Sequence, residues 1–272
     1  MMSNFSEISK KYEKDSVVQK SASEILFDLL EIQPKDDVLD LGCGTGHISR
    51  LIRAKTRGKV VGVDPSDGMI EKAKEKFLNQ DISFHVCSAE QLHYQKEFDI
   101  IFCNSAFQWL VNPARAIKAC HNSFKINGKM AIQAPAKDDY CPNFLKAIDD
   151  VKNHKATQKI FKSFTNPWFF RNKAREYAEL FESAGFKVEK STIDEVVTHH
   201  TAEEVYKIFE SGAAAGYLNQ DYYSTKLSQE YINAFMDIVR GSFEKQTAEM
   251  QQVRLTFYRI YLLAIRSGRT IH

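Results

Sequence analysis

Asp40 and Asp64 each close an apolar run, and the residues between them could hold a nucleoside. The first run, Val38-Leu39-Asp40-Leu41, leads into Gly42-Cys43-Gly44-Thr45-Gly46. The second is Lys59-Val60-Val61-Gly62-Val63-Asp64. A strand, a glycine-rich turn, a helix, a strand and a terminal acid form a βαβ unit of the nucleoside-binding kind. Glycines let a ligand approach the backbone where a Cβ would clash. Asp64 stands where a carboxylate can accept hydrogen bonds from both ribose hydroxyls. The glycine spacing is G-x-G-x-G. The dinucleotide fingerprint G-x-G-x-x-G needs its last glycine at position 47, which is His47. A pyrophosphate also needs an unopposed helix N-terminus. Asp40 puts a negative charge beside the turn instead, which suits a ligand bearing an ammonium group.

S-adenosylmethionine carries an adenosine, a ribose diol, an α-ammonium and a sulfonium, and no phosphate. The segment resembles the first motif of class I S-adenosylmethionine-dependent methyltransferases. That resemblance implies cofactor contacts from Asp40, Gly42, Cys43, Gly44 and Gly46, and from Asp64, Pro65 and Met69 after the second strand. In that family the loop after strand three lies along the adenine edge, usually with Asp followed by Ala. Here Ser88-Ala89-Glu90 occupies the loop, so a hydroxyl replaces the carboxylate and the Ala89 amide remains. Farther on, Cys103-Asn104-Ser105-Ala106-Phe107-Gln108-Trp109-Leu110 resembles the N-x-x-x-Q-W segment of methyltransferases acting on small carboxylic acids. The trans-aconitate and malonyl-carrier-protein (biotin synthesis) methyltransferases are examples. The insect juvenile-hormone-acid enzymes have a related aromatic segment. The likeness implies that Asn104 and Ser105 hold the methionine moiety, and that Gln108 and Trp109 shape the acceptor slot, Gln108 also reaching the cofactor. Tyr12, Ser16 and Gln19 fall at helical spacing, and in related enzymes such a segment folds over the methionine end. The resemblance covers residues 12–135 closely and the last third in outline.

These residues need elements to position them. Ala22, Ile25, Leu26, Leu29 and Leu30 form one helical face before Pro34. After the first strand, Ile48, Leu51 and Ile52 mark a helix closed near Gly58. Ser66 or Asp67 caps a helix carrying Met69, Ile70, Ala73 and Phe77. Ile82 to Val86 and Phe98 to Cys103 read as strands three and four, the latter apolar enough to be buried on both faces. Asn112-Pro113 opens a helix that Ile117, Cys120 and Phe124 continue and Gly128 ends, before a strand over Met130 to Ala134. Alternating strands and helices imply a doubly wound α/β sheet.

The alternation then breaks. Pro142 opens a helix with Phe144, Leu145, Ile148 and Val151, and Asn166-Pro167-Trp168-Phe169-Phe170 is an aromatic cluster. A helix through Tyr177, Leu180 and Phe181 stops at Gly185. Phe186 to His199 is strand-like, and Thr201 to Glu204 is a capping box. Ser211 to Tyr217 is rich in small residues and reads either as a lid hinge or as close helix packing. Another helix carries Ile232, Phe235, Met236, Val239 and Phe243, and Val253 to Ile265 is a final strand. The family's Rossmann-like sheet has seven strands, the last antiparallel. On that pattern the chain is a single methyltransferase domain over 1–272. It would comprise an N-terminal helical segment (1–35), a cofactor-binding core (36–135), helical cap insertions (136–175 and 201–250) and the last strand (251–272). Strand direction would bring the end of strand six, with His199 and His200, and the start of strand seven, with Arg254, to the binding rim.

Composition narrows the partners. The 37 Lys and Arg nearly balance 35 Asp and Glu, so nothing favours nucleic acid. Five cysteines, widely spaced and with no C-x-x-C, suggest neither zinc nor a disulfide framework, and no metal is expected. Met1 to Lys20 lacks an apolar signal core and no apolar run approaches membrane-spanning length, so the chain reads as soluble, cytoplasmic and off the membrane. No feature assigns an oligomeric state. The expected function is methyl transfer to a small molecule, through oxygen on a carboxylic acid or a carrier-bound acyl group. The alternatives are N- or C-methylation of a metabolite or natural product, and a non-catalytic S-adenosylmethionine-binding protein.

Overall fold

Apolar runs such as Val38–Leu41 and Phe98–Asn104 are stable only where both faces of a sheet are covered, and the computed structural model places them at the centre of one. It describes residues 17–247 and 251–267, with side chains from Ser23 onward. Tyr12 and Ser16 lie outside the described residues, and Gln19 lies in the first helix ahead of the described side chains. Strands β1 (Val38–Leu41), β2 (Val60–Asp64), β3 (Ser83–Val86), β4 (Phe98–Asn104) and β5 (Phe124–Pro135) run parallel in the order β3-β2-β1-β4-β5. β7 (Val253–Arg266) pairs antiparallel with β5, and β6 (Phe186–His200) closes the sheet beyond it. The seven-stranded, mixed, Rossmann-like sheet is thus the expected one.

Alternation along β4 divides the core. Ile100 and Phe102 pack with Leu26 and Leu30 of α1 (Val17–Leu30), and with Ile52 of α2 (His47–Arg53). Ile101 and Cys103 pack on the opposite face with Ile117 and Cys120 of α4 (Pro113–Ser123), α3 (Asp67–Lys76) coming between the two in the chain. Strand order reverses between β1 and β4, where open α/β sheets bind ligands beyond the carboxyl ends of the strands. Asp40, Asp64 and Asn104 stand at those ends.

Helix starts follow the sequence. Ser66 accepts from the Met69 N–H, and Asn112 Oδ1 accepts from the Arg115 N–H at 3.0 Å with Pro113 at the first helical position. Asn112→Ala is expected to cost about 1 kcal/mol of stability, and Asn112→Asp nearly nothing. Urea titrations at constant m-value measure both; equal midpoints for Ala and the parent would deny the cap its role.

One boundary differs from the expectation. The helix after Asn112 ends at Ser123, and Phe124 already begins β5, opposite Phe98. Ser123 Oγ donates back to the Ala119 carbonyl at 2.9 Å and closes the helix. The Phe124 ring is fully buried against Phe186, and a Cβ on Gly128 would stand 2.3 Å from it. Gly128 therefore makes room for that ring within the strand rather than ending a helix.

The described residues divide into two compact units. One contains Val17–Asp138, Trp168–Asp194 and the chain from Arg259 onward, with α7 (Ala174–Ser183) packed through Tyr177 and Phe181 into its core. The other contains Asp139–Pro167 and Glu195–Tyr258. It holds α5 (Pro142–Asn153), α6 (Gln158–Phe161), α8 (Ala202–Ser211), α9 (Ala214–Tyr217) and α10 (Gln229–Lys245). Its core is aromatic: Phe144 meets Phe209, Phe243 and Phe257 edge-on or tilted, and Phe209 stacks on Tyr217. The Tyr223 hydroxyl donates to the Tyr217 carbonyl at 2.6 Å. Ala214, Ala215 and Tyr217 are buried, so the small-residue stretch is close packing in this structure. Among the described residues no helix is long and apolar enough to cross a membrane, and no cluster of His, Cys, Asp or Glu could hold a metal ion.

Candidate cofactor and acceptor site

The glycine-rich turn is shaped by two different demands. Gly42 has φ +74°, and a Cβ there would lie 2.3 Å from the Ala106 Cβ, so this glycine lets the turn after β1 touch the loop after β4. Gly44 has φ +53°, yet a Cβ on it would meet nothing within 4 Å. The turn thus leaves open space over Gly44. Gly46 caps α2, and Cys43 Sγ lies beneath the turn against Gly62.

Two carboxylates stand at the strand ends beside this turn. Asp64 ties β2 to the turn: its Oδ2 accepts from the Gly44 N–H at 3.0 Å and its Oδ1 from the Ser66 N–H at 2.9 Å. Burial raises its pKa, and these two N–H groups oppose the rise. Each oxygen keeps a second lone pair for a ribose hydroxyl. Asp40 is buried and accepts from Ser49 Oγ at 2.6 Å. Burial, with the neighbouring charge of Asp64, pushes its carboxyl up to about 7. Pro65 is exposed, whereas Met69 is buried in the first turn of α3.

After β3, Ser88 is half-buried with its hydroxyl 3.4 Å from Gln91 Oε1, and Ala89 begins a single 3₁₀ turn. Glu90 has a structural task that its sequence position did not reveal. Its Oε1 accepts from the Val111 and Asn112 N–H groups at 3.0 and 3.1 Å, fastening the segment that precedes α4.

After β4 the chain turns sharply. Ser105 is left-handed at φ +55° and donates its N–H to the Gln133 carbonyl at 2.7 Å. Phe107–Trp109 is a 3₁₀ turn. Gln108 is buried, with Nε2 donating to the Ser105 carbonyl at 2.9 Å and Oε1 lacking a partner among the described residues. Phe107 is a core ring stacked on Phe181. Trp109 is half-buried, edge-on to Trp168 at 5.6 Å, and the Phe169 N–H donates to the Gln108 carbonyl at 2.8 Å. The aromatic cluster at 166–170, to which the sequence assigned no partner, therefore packs on the Gln108-Trp109 turn.

The structure brings Asp40, Gly42–Gly46, Asp64, Ser88, Asn104, Ser105 and Gln108 to the carboxyl ends of β1 to β4 within one unit. His199, His200 and Arg254 belong to the other unit, and their partners there are local. Arg254 is exposed, paired with Glu195 at 3.1 Å and bonded to Thr256 Oγ1. His199 is exposed, and His200 Nδ1 lies 3.9 Å from a Glu204 oxygen. Arg254 is thus a surface cation held by neighbours of its own unit. The buried arginine of β7 is Arg259, 4% exposed, and with Gln133 it is a residue that sequence reasoning missed. The available signal was a polar residue inside each apolar strand, Met130-Ala131-Ile132-Gln133-Ala134 and Phe257 to Leu263.

Comparison with known proteins gives the family. Residues 32–213 match the model of a family described as "Methyltransferase domain". The malonyl-[acyl-carrier protein] O-methyltransferase of Acetivibrio thermocellus is 29% identical over 131 residues, 47% of this chain and 46% of that protein. The enzyme of the same name from Anoxybacillus flavithermus is 32% identical over 118 residues, 43% of this chain and 45% of that protein. The chain thus spans about half the length of the curated relatives it matches. In fold it is similar to the YcgJ protein from Bacillus subtilis, with a TM-score of 0.61 and 16% identity over 92% of this chain and 100% of that one. It is also similar to a Haemonchus contortus N-methyltransferase solved with S-adenosylhomocysteine, with a TM-score of 0.55 and 18% identity over 92% of this chain and 53% of that one. The chain belongs to the methyltransferase domain family, in the class I, S-adenosylmethionine-dependent group that its glycine-rich turn resembles.

Proposed function

We propose that this chain binds S-adenosylmethionine at the carboxyl ends of β1 to β4 and methylates an oxygen of a carboxylic acid or carrier-bound acyl group. The observation that carries the reading is the open space over Gly44 beside Asp64, which accepts from the Gly44 N–H; Asp64 would then serve the ribose, and Asp40, just before the turn, the ammonium. The Asn104-Ser105 corner would meet the methionine end, with Ser88 and the Ala89 amide along the adenine. The kinship with malonyl-carrier-protein O-methyltransferases supports an acyl acceptor with a carboxylate.

When bound, the cofactor supplies an activated methyl group on a neutral leaving group. An acceptor carboxylate is ionised at neutral pH, so no residue has to remove a proton. The chain's part is orientation, which in favourable cases lowers a barrier by about 7–11 kcal/mol. Gln108 and Trp109, backed by Trp168 and the Phe169 amide, would line the acceptor slot and hold the attacking oxygen in line.

Calorimetry with S-adenosylmethionine, S-adenosylhomocysteine and NAD tests the first half of the proposal. The first two should bind and NAD should bind much more weakly, because the turn lacks the third glycine of the dinucleotide spacing and carries Asp40. Preferential binding of NAD would overturn it. Incubation with a panel of acids and acyl carriers tests the second half. The expected product loses its methyl group in mild base, as an ester does. A base-stable product would move the reading to N- or C-methylation, and tight binding without turnover to a binding protein.

A further inference from the structure

Arg259 is a guanidinium on a strand whose neighbours are apolar, and it is almost fully buried. Such a charge is costly to bury unless its donors are met. Its position is opposite Pro135 on β5, two positions along from the pair Gln133↔Tyr261. Gln133 is fully buried, and in register with Asn104 on its other side. The Gln133 amide has two ways to lie, and the neighbours choose one. Arg259 Nη1 and the Ala134 N–H can only donate. The amide oxygen therefore faces them, at 2.6 and 3.2 Å. The amide nitrogen then donates to Asn104 Oδ1 at 3.0 Å and to Ser105 Oγ at 3.1 Å.

This chain of bonds has a direction. Asn104 has its oxygen engaged, which leaves Nδ2 to donate elsewhere. Ser105 has an oxygen lone pair engaged, which leaves its proton to donate elsewhere. Both residues are half-buried at the carboxyl end of β4, and Ser105 is held in a left-handed turn. A guanidinium that cannot accept thus determines, two bonds away, that the corner presents N–H and O–H donors. Donors without a compensating acceptor match an anionic oxygen.

We propose that Arg259 is a positioning residue that fixes the polarity of this corner through Gln133, making Asn104 and Ser105 a donor pair for a carboxylate. The inference rests on the binding mode proposed above, in which the corner meets either the methionine carboxylate of the cofactor or a carboxylate of the acceptor. Gln133→Glu is the informative variant. Glutamate still accepts from Arg259, as an ion pair, but has no N–H to give. Asn104 and Ser105 must then turn their own donors inward, and the corner loses them.

The experiment measures dissociation constants of S-adenosylhomocysteine, of its decarboxylated analogue, and of malonate in the presence of S-adenosylhomocysteine. Parent, Gln133→Glu, Arg259→Met and Arg259→Lys chains are compared, with near-ultraviolet circular dichroism reporting the fold. Loss of about tenfold or more for S-adenosylhomocysteine in Gln133→Glu and Arg259→Met, with the decarboxylated analogue unchanged, supports the proposal and names the cofactor carboxylate. An equal loss confined to malonate supports it and names the acceptor. Arg259→Lys keeps a cationic donor to Gln133 and should stay within about threefold of the parent. Folded Gln133→Glu with every constant unchanged, or with the decarboxylated analogue weakened as much as S-adenosylhomocysteine, overturns the proposal. If Arg259→Met does not fold, Gln133→Glu alone decides. A parent chain that binds neither nucleoside overturns the cofactor reading itself, and the donor corner with it.

Discussion

Asp64→Ala is expected to weaken S-adenosylmethionine binding by about 1–3 kcal/mol, roughly 5- to 150-fold, while the chain still folds. Hydrogen bonds to a charged group are worth more than neutral ones, and a carboxylate can serve two hydroxyls at once. The structure adds a second contribution. Asp64 also receives the Gly44 and Ser66 N–H groups, so its removal loosens the glycine-rich turn. Asp64→Asn separates the two effects. It keeps one carbonyl oxygen, at a position where either the turn or the ribose can be served, and should fall between Ala and the parent. Calorimetry with S-adenosylmethionine and with an analogue lacking both ribose hydroxyls measures this. The Ala variant should lose far more against the natural ligand than against the analogue. Equal losses would mean that Asp64 only holds the turn, and an unchanged dissociation constant in a folded variant would remove it from the site.

The parts of this site that were legible in the sequence share a physical cause. A strand buried on both faces must be apolar throughout, so β1, β2 and β4 announce themselves, and so does any charge placed at their ends. Asp40 and Asp64 were readable for that reason. The close contact at Gly42 and the left-handed φ of +53° at Gly44 both favour glycine, which made the turn readable as well. Phe124 was misread because an aromatic residue at helical spacing is equally suited to the first position of a buried strand, and the decision rests on Phe98 and Phe186 far away in the chain. Arg254 and Arg259 show the same limit. Strand direction gives the region of β7 that matters, but which arginine is buried depends on Gln133 waiting on the neighbouring strand. Glu90 likewise has its partners in residues 111 and 112, which local pattern does not connect to it.

Asp40 should make both stability and cofactor binding depend on pH. In the folded chain its carboxyl sits at about 7, because burial disfavours the charge and Asp64 adds repulsion that the Ser49 hydroxyl only partly offsets. In an unfolded chain it sits near about 3.9. Between those values the folded chain keeps a proton that the unfolded chain has released. Stability therefore falls as pH rises from about 4 to about 7 and levels off above that, by an amount on the order of 4 kcal/mol. Asp40→Asn carries no charge at any pH. It should gain on the parent as pH rises and be most favoured at about pH 8, with the difference shrinking toward about pH 4. Urea denaturation at both pH values measures it, and a pH-independent difference would show that Asp40 is not held protonated. The site keeps this costly group because the charge has a use in the proposed complex. An ammonium beside Asp40 stabilises its ionised form, so binding at about pH 6.5 should expel a proton, and affinity should climb between about pH 5 and 7.5. Binding enthalpies in two buffers of different ionisation heat count that proton. The parent should release a substantial fraction of one, whereas Asp40→Asn should release none and bind more weakly at the upper end of the range. Identical enthalpies in both buffers for the parent, with a flat pH profile, would place the ammonium elsewhere.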